Sequence, residues 1–241
     1  MKLKDLKEAH DLAGIHKDAI KTIHVNTDGI IEYRVGLTKM GLSSLKGFPV
    51  AKAATTDIDV SQNRLTGLRY LPSYIRGELN ASFNEIQDIS ELPACRRVDL
   101  SHNRISEING SLELVEYLDL SYNDFTSMES FSRCQDVKFM DLKLAFNNIT
   151  SLKGIHTQLG HCEILDLTGN QIEDSILGLL LIPGIKAVTY DPYGPRGNFL
   201  QLSVPFDMIN KFIKEKKTTK ADVIELQNVL LDKGYAELAE L

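Results

Sequence analysis

The chain has 241 residues, 43% of them hydrophobic and 25% charged, with a formal net charge of −6. That length supports a sizeable core, and the acidic balance argues against general nucleic-acid binding. The longest apolar run, residues 176–182, is far too short to span a bilayer. Cys95, Cys134 and Cys162 are odd in number and widely spaced, with no CxxC pair or Cys/His cluster. They are expected to be reduced thiols packed on the outer side of the fold, not metal ligands or a disulfide framework. Residues 1–8 carry too many charges for the apolar segment of a signal peptide. The expectation is a cytoplasmic protein, with a nuclear or cytoskeleton-associated location as the alternatives.

In chain order, residues 4–13 have the spacing of a short amphipathic helix, and Gly14 is its stop. Residues 20–25 and 30–35 alternate like strands on either side of Asn26-Thr27-Asp28-Gly29, which is hairpin turn chemistry. A rival reading makes Ile23, Val25, Asp28 and Ile30 a degenerate repeat. The next candidate strand follows too closely for that, so the hairpin is favoured.

From Val35 a pattern recurs: apolar-x-apolar-x-x-Asn-x-apolar. Its asparagines are Asn63, Asn84, Asn103, Asn123, Asn147 and Asn170, at successive spacings of 21, 19, 20, 24 and 23 residues. A first, degenerate copy over residues 35–48 has Met40 in place of Asn. The paired apolar positions, from Ile58/Val60 to Leu165/Leu167, are expected to fill a core from short parallel strands. The asparagines are expected to satisfy backbone groups where the chain leaves each strand. Short repeats leave room only for turns and 3₁₀ pieces on the return, with more helix in the longer ones. Residues 176–182 read as a helix ended by Pro183-Gly184, residues 185–190 as the last strand and residues 191–198 as a loop. Phe206, Ile209, Phe212 and Ile213 form one apolar helical stripe. Thr218 or Thr219 can cap a second helix bearing Val223, Leu226 and Leu230. Packing on the end of the repeats is favoured for both stripes over gripping a partner.

Val98-Asp99-Leu100-Ser101-His102-Asn103 and Leu165-Asp166-Leu167-Thr168-Gly169-Asn170 resemble the leucine-rich repeat family, and the resemblance runs from about residue 35 to residue 198. It implies an α/β fold: a leucine-rich repeat solenoid with a parallel concave sheet, an N-terminal helix-hairpin cap and C-terminal helices. The expected divisions are 1–34 for the cap, 35–198 for the repeats and 199–241 for the helical extension. The repeat lengths look most like the short-repeat intracellular subclass, which includes a phosphatase regulator, a spliceosomal A-prime protein and a dynein light chain. Met40, Ala81 and the uneven spacing depart from the pattern.

Residues flanking each core pair are expected on the concave face: Asp57/Asp59/Ser61, Glu78/Asn80/Ser82, Arg97/Asp99/Ser101, Tyr117/Asp119/Ser121, Asp141/Lys143/Ala145 and Ile164/Asp166/Thr168. Just before each asparagine run Gln62, Phe83, His102, Tyr122, Phe146 and Gly169. The residues singled out for partner binding are Asp59, Asn80, Phe83, Arg97, Asp99, His102, Tyr117, Asp119, Tyr122, Lys143, Phe146 and Asp166. Aromatic rings beside a mostly acidic strip suit a basic or arginine-bearing partner segment. The plainer reading is that Asp and Ser belong to the repeat and stabilise one another across strands. His102, Asp99 and Ser101 come from one strand and have no oxyanion feature, so catalysis finds no support. The expected function is a non-enzymatic protein-binding scaffold or adaptor without cofactor, metal or membrane partner. The alternatives are a regulatory subunit of an enzyme such as a phosphatase, and a structural component of a cytoskeletal or ribonucleoprotein assembly.

Overall fold

The computed structural model describes residues 20–25, 31–46, 48, 55–190 and 203–240. The expected helix over residues 4–13 and loop over residues 191–198 lie outside them. The chain divides into two compact units, Met1–Arg104 with Asn109–Val115, and Ile105–Ile108 with Glu116–Leu241.

In the first unit β1 (Ile20–Val25), β2 (Ile31–Gly36), β3 (Thr55–Asp59), β4 (Tyr74–Asn80) and β5 (Ala94–Asp99) lie side by side in chain order. β1 and β2 form the expected antiparallel hairpin. β2 also pairs in parallel with β3, setting Val35 opposite Ile58, so one strand closes the hairpin and begins the repeats. β4 and β5 continue the parallel array. Val35, Leu37, Ile58, Val60, Leu79, Ala81, Val98 and Leu100 are buried, as the pattern requires. No helix occurs among this unit's described residues.

The second unit places β6 (Tyr117–Asp119), β7 (Lys138–Lys143), β8 (His161–Asp166) and β9 (Ala187–Thr189) in parallel. Its repeats are the long ones, and their return segments carry a 3₁₀ turn (Glu129–Cys134), a helical turn α1 (Ile155–Gln158) and a second 3₁₀ turn (Ile176–Leu181). The helix expected over residues 176–182 is therefore 3₁₀, and it stops before Pro183. Two helices, α2 (Ser203–Lys214) and α3 (Lys220–Asp232), complete this unit. Phe206, Ile209, Phe212 and Ile213 of α2 and Val223, Leu226 and Leu230 of α3 are all buried. α2 packs on β9 and on the Ile176–Leu181 turn, and α3 packs on the same turn. The edge of β9 is closed by a side chain. Val188 N donates to Asn210 Oδ1 at 3.0 Å, and Asn210 Nδ2 donates to Val188 O at 2.7 Å. The amide of Asn210 thus stands where the peptide of another strand would pair. Thr219 caps α3: its hydroxyl accepts from Asp222 N while the Asp222 carboxylate accepts from Thr219 N.

The asparagines bind neighbouring repeats together in both units. Asn84 Nδ2 donates to Val60 O, Ala81 O and Ser82 O at 3.0–3.1 Å, and its Oδ1 accepts from Leu65 N at 3.0 Å. Asn147 repeats this with Leu120 O, Leu144 O, Ala145 O and Phe125 N. Met40, the departure from the motif, donates its backbone N–H to Asn63 Oδ1 at 3.0 Å. The residue before each asparagine adopts a left-handed conformation: φ is 57° at Gln62, 54° at Phe83, 55° at His102, 57° at Tyr122, 54° at Phe146 and 72° at Gly169. This single turn of opposite hand swings the chain off the strand.

Three expectations need correction. The strands β4, β5, β7 and β8 begin further upstream than the apolar pairs indicate, and they bury Ile75, Cys95, Phe139 and Cys162. In β5, β7 and β8 the next buried residue comes three positions on, at Val98, Leu142 and Leu165, so a kink breaks the alternation that marks a strand. Cys95 and Cys162 therefore sit on strands, not on the outer side, where only Cys134 lies in a return segment. At the kink Cys95 Sγ donates to Arg97 O at 3.1 Å and Cys162 Sγ to Ile164 O at 3.2 Å, a role suited to a small, weak donor. Finally, Ser61, Ser82, Ser121 and Ala145 are buried instead of lining the concave face. The strands preceding them end one residue after the first core position, and the chain has already turned inward there.

Candidate functional site

The outward side chains of the first unit form two rows across its strands. Arg34 lies in register with Asp57, and Glu78 with Arg97. Asp59, Asn80 and Asp99 form the second row. The first row is largely compensated within itself: Arg34 Nε lies 2.6 Å from Asp57 Oδ2, and Glu78 N donates to Asp57 Oδ1 at 3.0 Å. At the turn beside these rows, Phe83 is 51% exposed and stacks on His102 at 4.0 Å with 12° between the rings.

In the second unit the first row is Tyr117, Asp141, Ile164 and Ala187, and the second is Asp119, Lys143, Asp166 and Thr189. Tyr122, 45% exposed, stacks on Phe146 at 4.4 Å. Gly169 lies under that stack, because a Cβ there would come within 2.5 Å of Phe146 Cδ1. Lys143 Nζ lies 3.5 Å from Asp119 Oδ2. Burial raises the Asp141 carboxyl above the ordinary carboxylate range; Lys143 opposes this, and Asp119 and Asp166 add to it. Ile164 is an apolar side chain 41% exposed in the middle of this face.

The twelve singled-out residues thus fall into two sets. Asp59, Asn80, Phe83, Arg97, Asp99 and His102 stand on the first unit, and Tyr117, Asp119, Tyr122, Lys143, Phe146 and Asp166 on the second. The acidic middle column has a structural duty. Asp59, Asn80, Asp99, Asp119 and Asp166 each accept, through Oδ1, the backbone N–H two residues on, at 2.9–3.1 Å. Ser61 and Ser82 hydroxyls donate to the same oxygens at 2.6 and 2.7 Å. Asp and Ser therefore stabilise one another within a repeat, and the expectation of bonds across strands is corrected. The local bond wins because it closes the turn that the left-handed residue begins. The second carboxylate oxygen of Asp119 lies beside Lys143 Nζ. Arg97 and Tyr117 of the twelve stand in the upstream row, where Asp57, Glu78, Asp141 and Ile164, expected on the same face but not among the twelve, also point outward. Their fixed place two residues before the middle column was the available signal.

The thiols offer no reactive centre in this arrangement. Burial pushes Cys134 and Cys162 up to about 12 and raises Cys95, so all three stay protonated near neutral pH. Among the described residues no helix is long and apolar enough to cross a membrane.

A family model described as Leucine Rich repeat matches residues 161–181. The same strand, left-handed turn and asparagine recur along both units. The matched stretch is one whole repeat: β8, the Gly169-Asn170 turn and the 3₁₀ return. No curated protein matches the chain. Leucine-rich repeats are generally protein-interaction modules, and the match supports that general role.

Proposed function

We propose that this protein is a non-enzymatic scaffold or adaptor of the short-repeat leucine-rich type, docking a partner protein with a basic segment on its strand face. The supporting observation is the hydrogen-bonded framework under that face. Its outward side chains are spaced by paired strands, and asparagines such as Asn84 and Asn147 tie neighbouring repeats together through several hydrogen bonds each. A preorganised surface binds without the entropic cost of ordering itself. Carboxylates beside exposed rings match cationic side chains. In the cell the partner is a cytoplasmic, nuclear or cytoskeletal protein.

The test is partner capture by proximity labelling, followed by cross-link mapping on the purified pair. Asp99→Asn with Asp119→Asn keeps the turn-closing oxygen and removes the charge, so it reports on recognition and not on folding. Cross-links confined to the strand face, with weakened capture by this variant, support the proposal. Cross-links confined to the return segments or to α3 overturn it. A second reading, docking through the terminal helices within a larger assembly, draws on Ile224 and Leu231, which are exposed seven residues apart on α3.

A further inference from the structure

The two strand faces treat their charge differently, and the difference lies in the upstream row. In the first unit that row pairs Arg34 with Asp57. In the second unit no cation stands in it: the residues in register are Tyr117, Asp141, Ile164 and Ala187. The single cation of the second row, Lys143, lies beside Asp119. Three carboxylates, Asp119, Asp141 and Asp166, thus share one ammonium on this face. The Asp166 Oδ1 atom accepts from Thr168 N. Ile164 stands two residues before Asp166 on β8 and directly opposite Asp141 on β7, while Lys143 stands two residues after Asp141 and directly opposite Asp166. The two carboxylates therefore lie on a diagonal flanked by an exposed apolar side chain and by an ammonium that also lies beside Asp119.

We propose that this patch seats an arginine of an extended, basic partner segment, its guanidinium addressing Asp141 and Asp166 and its stem lying on Ile164. The inference rests on the docking reading above and gives it a location and a side chain. Two carboxylates beside an exposed apolar side chain, their one neighbouring ammonium shared with Asp119, leave negative charge for a further cation whose body is itself apolar. Arginine supplies that, with five donors in a planar fork that serves two acceptors at once and a weakly hydrated head. Lysine brings a compact, strongly hydrated charge that reaches only one acceptor well. An extended segment suits a sheet face, since its alternate side chains point to one side. The repulsion that Asp119 and Asp166 exert on the Asp141 carboxylate is relieved by an arriving cation, which adds to the favourable balance.

The probe is a capped nonapeptide alternating arginine and threonine, titrated at low ionic strength into the full chain. Binding is followed by amide chemical shifts and by fluorescence anisotropy. The expected result is shift changes centred on residues 141, 143, 164, 166 and 187. Asp141→Asn with Asp166→Asn is expected to weaken binding at least about tenfold, whereas Glu113→Gln with Glu129→Gln, the same charge change elsewhere, is expected to leave it within about twofold. The lysine version of the peptide is expected to bind more weakly than the arginine version. Shifts centred on residues 57, 59, 97 and 99 overturn the seat and leave the strand-face reading standing. Shifts confined to the return segments, or no binding, overturn the seat, and the cross-link map of the natural partner then judges the wider reading separately. Equal binding of the two peptides overturns the arginine assignment. The shift map on the unsubstituted chain decides the location even if the double variant fails to fold.

Discussion

The two units are built on one skeleton and diverge in what they hang on it. In both, an asparagine ladder ties repeats together, a left-handed residue turns the chain, and an aspartate or asparagine closes that turn. The first unit uses short repeats, with no helix among the described residues of their returns, and offsets its upstream Asp57 with an arginine. The second has longer repeats, puts helical turns into its returns, is finished by two helices, and leaves Asp141 without such a partner in its row. Folding demands fall on the inward positions and are identical in both units. Outward, the middle column carries the turn-closing oxygen in both units, and the upstream row, which carries no such demand, is free to differ.

If the skeleton is shared, its loss costs the same on either side. Asn84→Ala and Asn147→Ala each remove three donated hydrogen bonds and one accepted bond, and each is expected to cost about 3 kcal/mol. Urea unfolding of the two variants checks this, and a large inequality between them refutes the idea of one skeleton. Gly169→Val tests a feature found on the second unit's ladder. It places a branched side chain at φ 72° and against the Phe146 ring, and is expected to cost about 2 kcal/mol. It should also remove the Tyr122–Phe146 stacking signature in near-ultraviolet circular dichroism.

Asn210→Ala removes both bonds to Val188 and is expected to cost about 1 kcal/mol. Amide hydrogen exchange at Val188 should quicken while exchange in β3 to β5 is unchanged. The smallest effects differ in sign. Asp57→Asn loses the ion pair with Arg34 and is expected to lower stability by about 0.5 kcal/mol. Asp141→Asn is expected to raise it at neutral pH. The folded state holds the Asp141 carboxyl above its ordinary range, chiefly through burial. The natural chain therefore suffers no penalty from it below that range and loses stability as pH rises through the folded value. The gain from Asp141→Asn should shrink as thermal unfolding is repeated at pH values descending into the carboxylate range. An unchanged gain at low pH contradicts this origin.

Much of the skeleton was legible from residues alone. Ile58/Val60, Leu79/Ala81, Val98/Leu100 and the six asparagines occupy the inward and ladder places their spacing implies. The stripes on α2 and α3 were legible for the same reason, since helical periodicity and burial share one cause. The upstream half of the strands was not. The kink after Cys95, Phe139 and Cys162 sets buried residues three apart, which matches neither the period of a strand nor that of a long helix. The candidate site was legible as a set of positions and misjudged in weight. Leu-Asp-Leu-Ser invites attention to its Asp, yet that residue's first duty is to the turn two residues on.

By itself, then, the order of residues determined the repeat, its length and the inward face of the downstream half of the repeat strands and of the two terminal helices. These follow from burying apolar side chains at fixed periods along one chain, which is a local property. Only the tertiary structure decided that a side-chain amide closes the edge of β9, that Arg34 meets Asp57, and that Asp141 stands beside Ile164 with no cation in its row. Those are relations between residues about twenty positions apart, set by strand register, and register arises only when the strands pair.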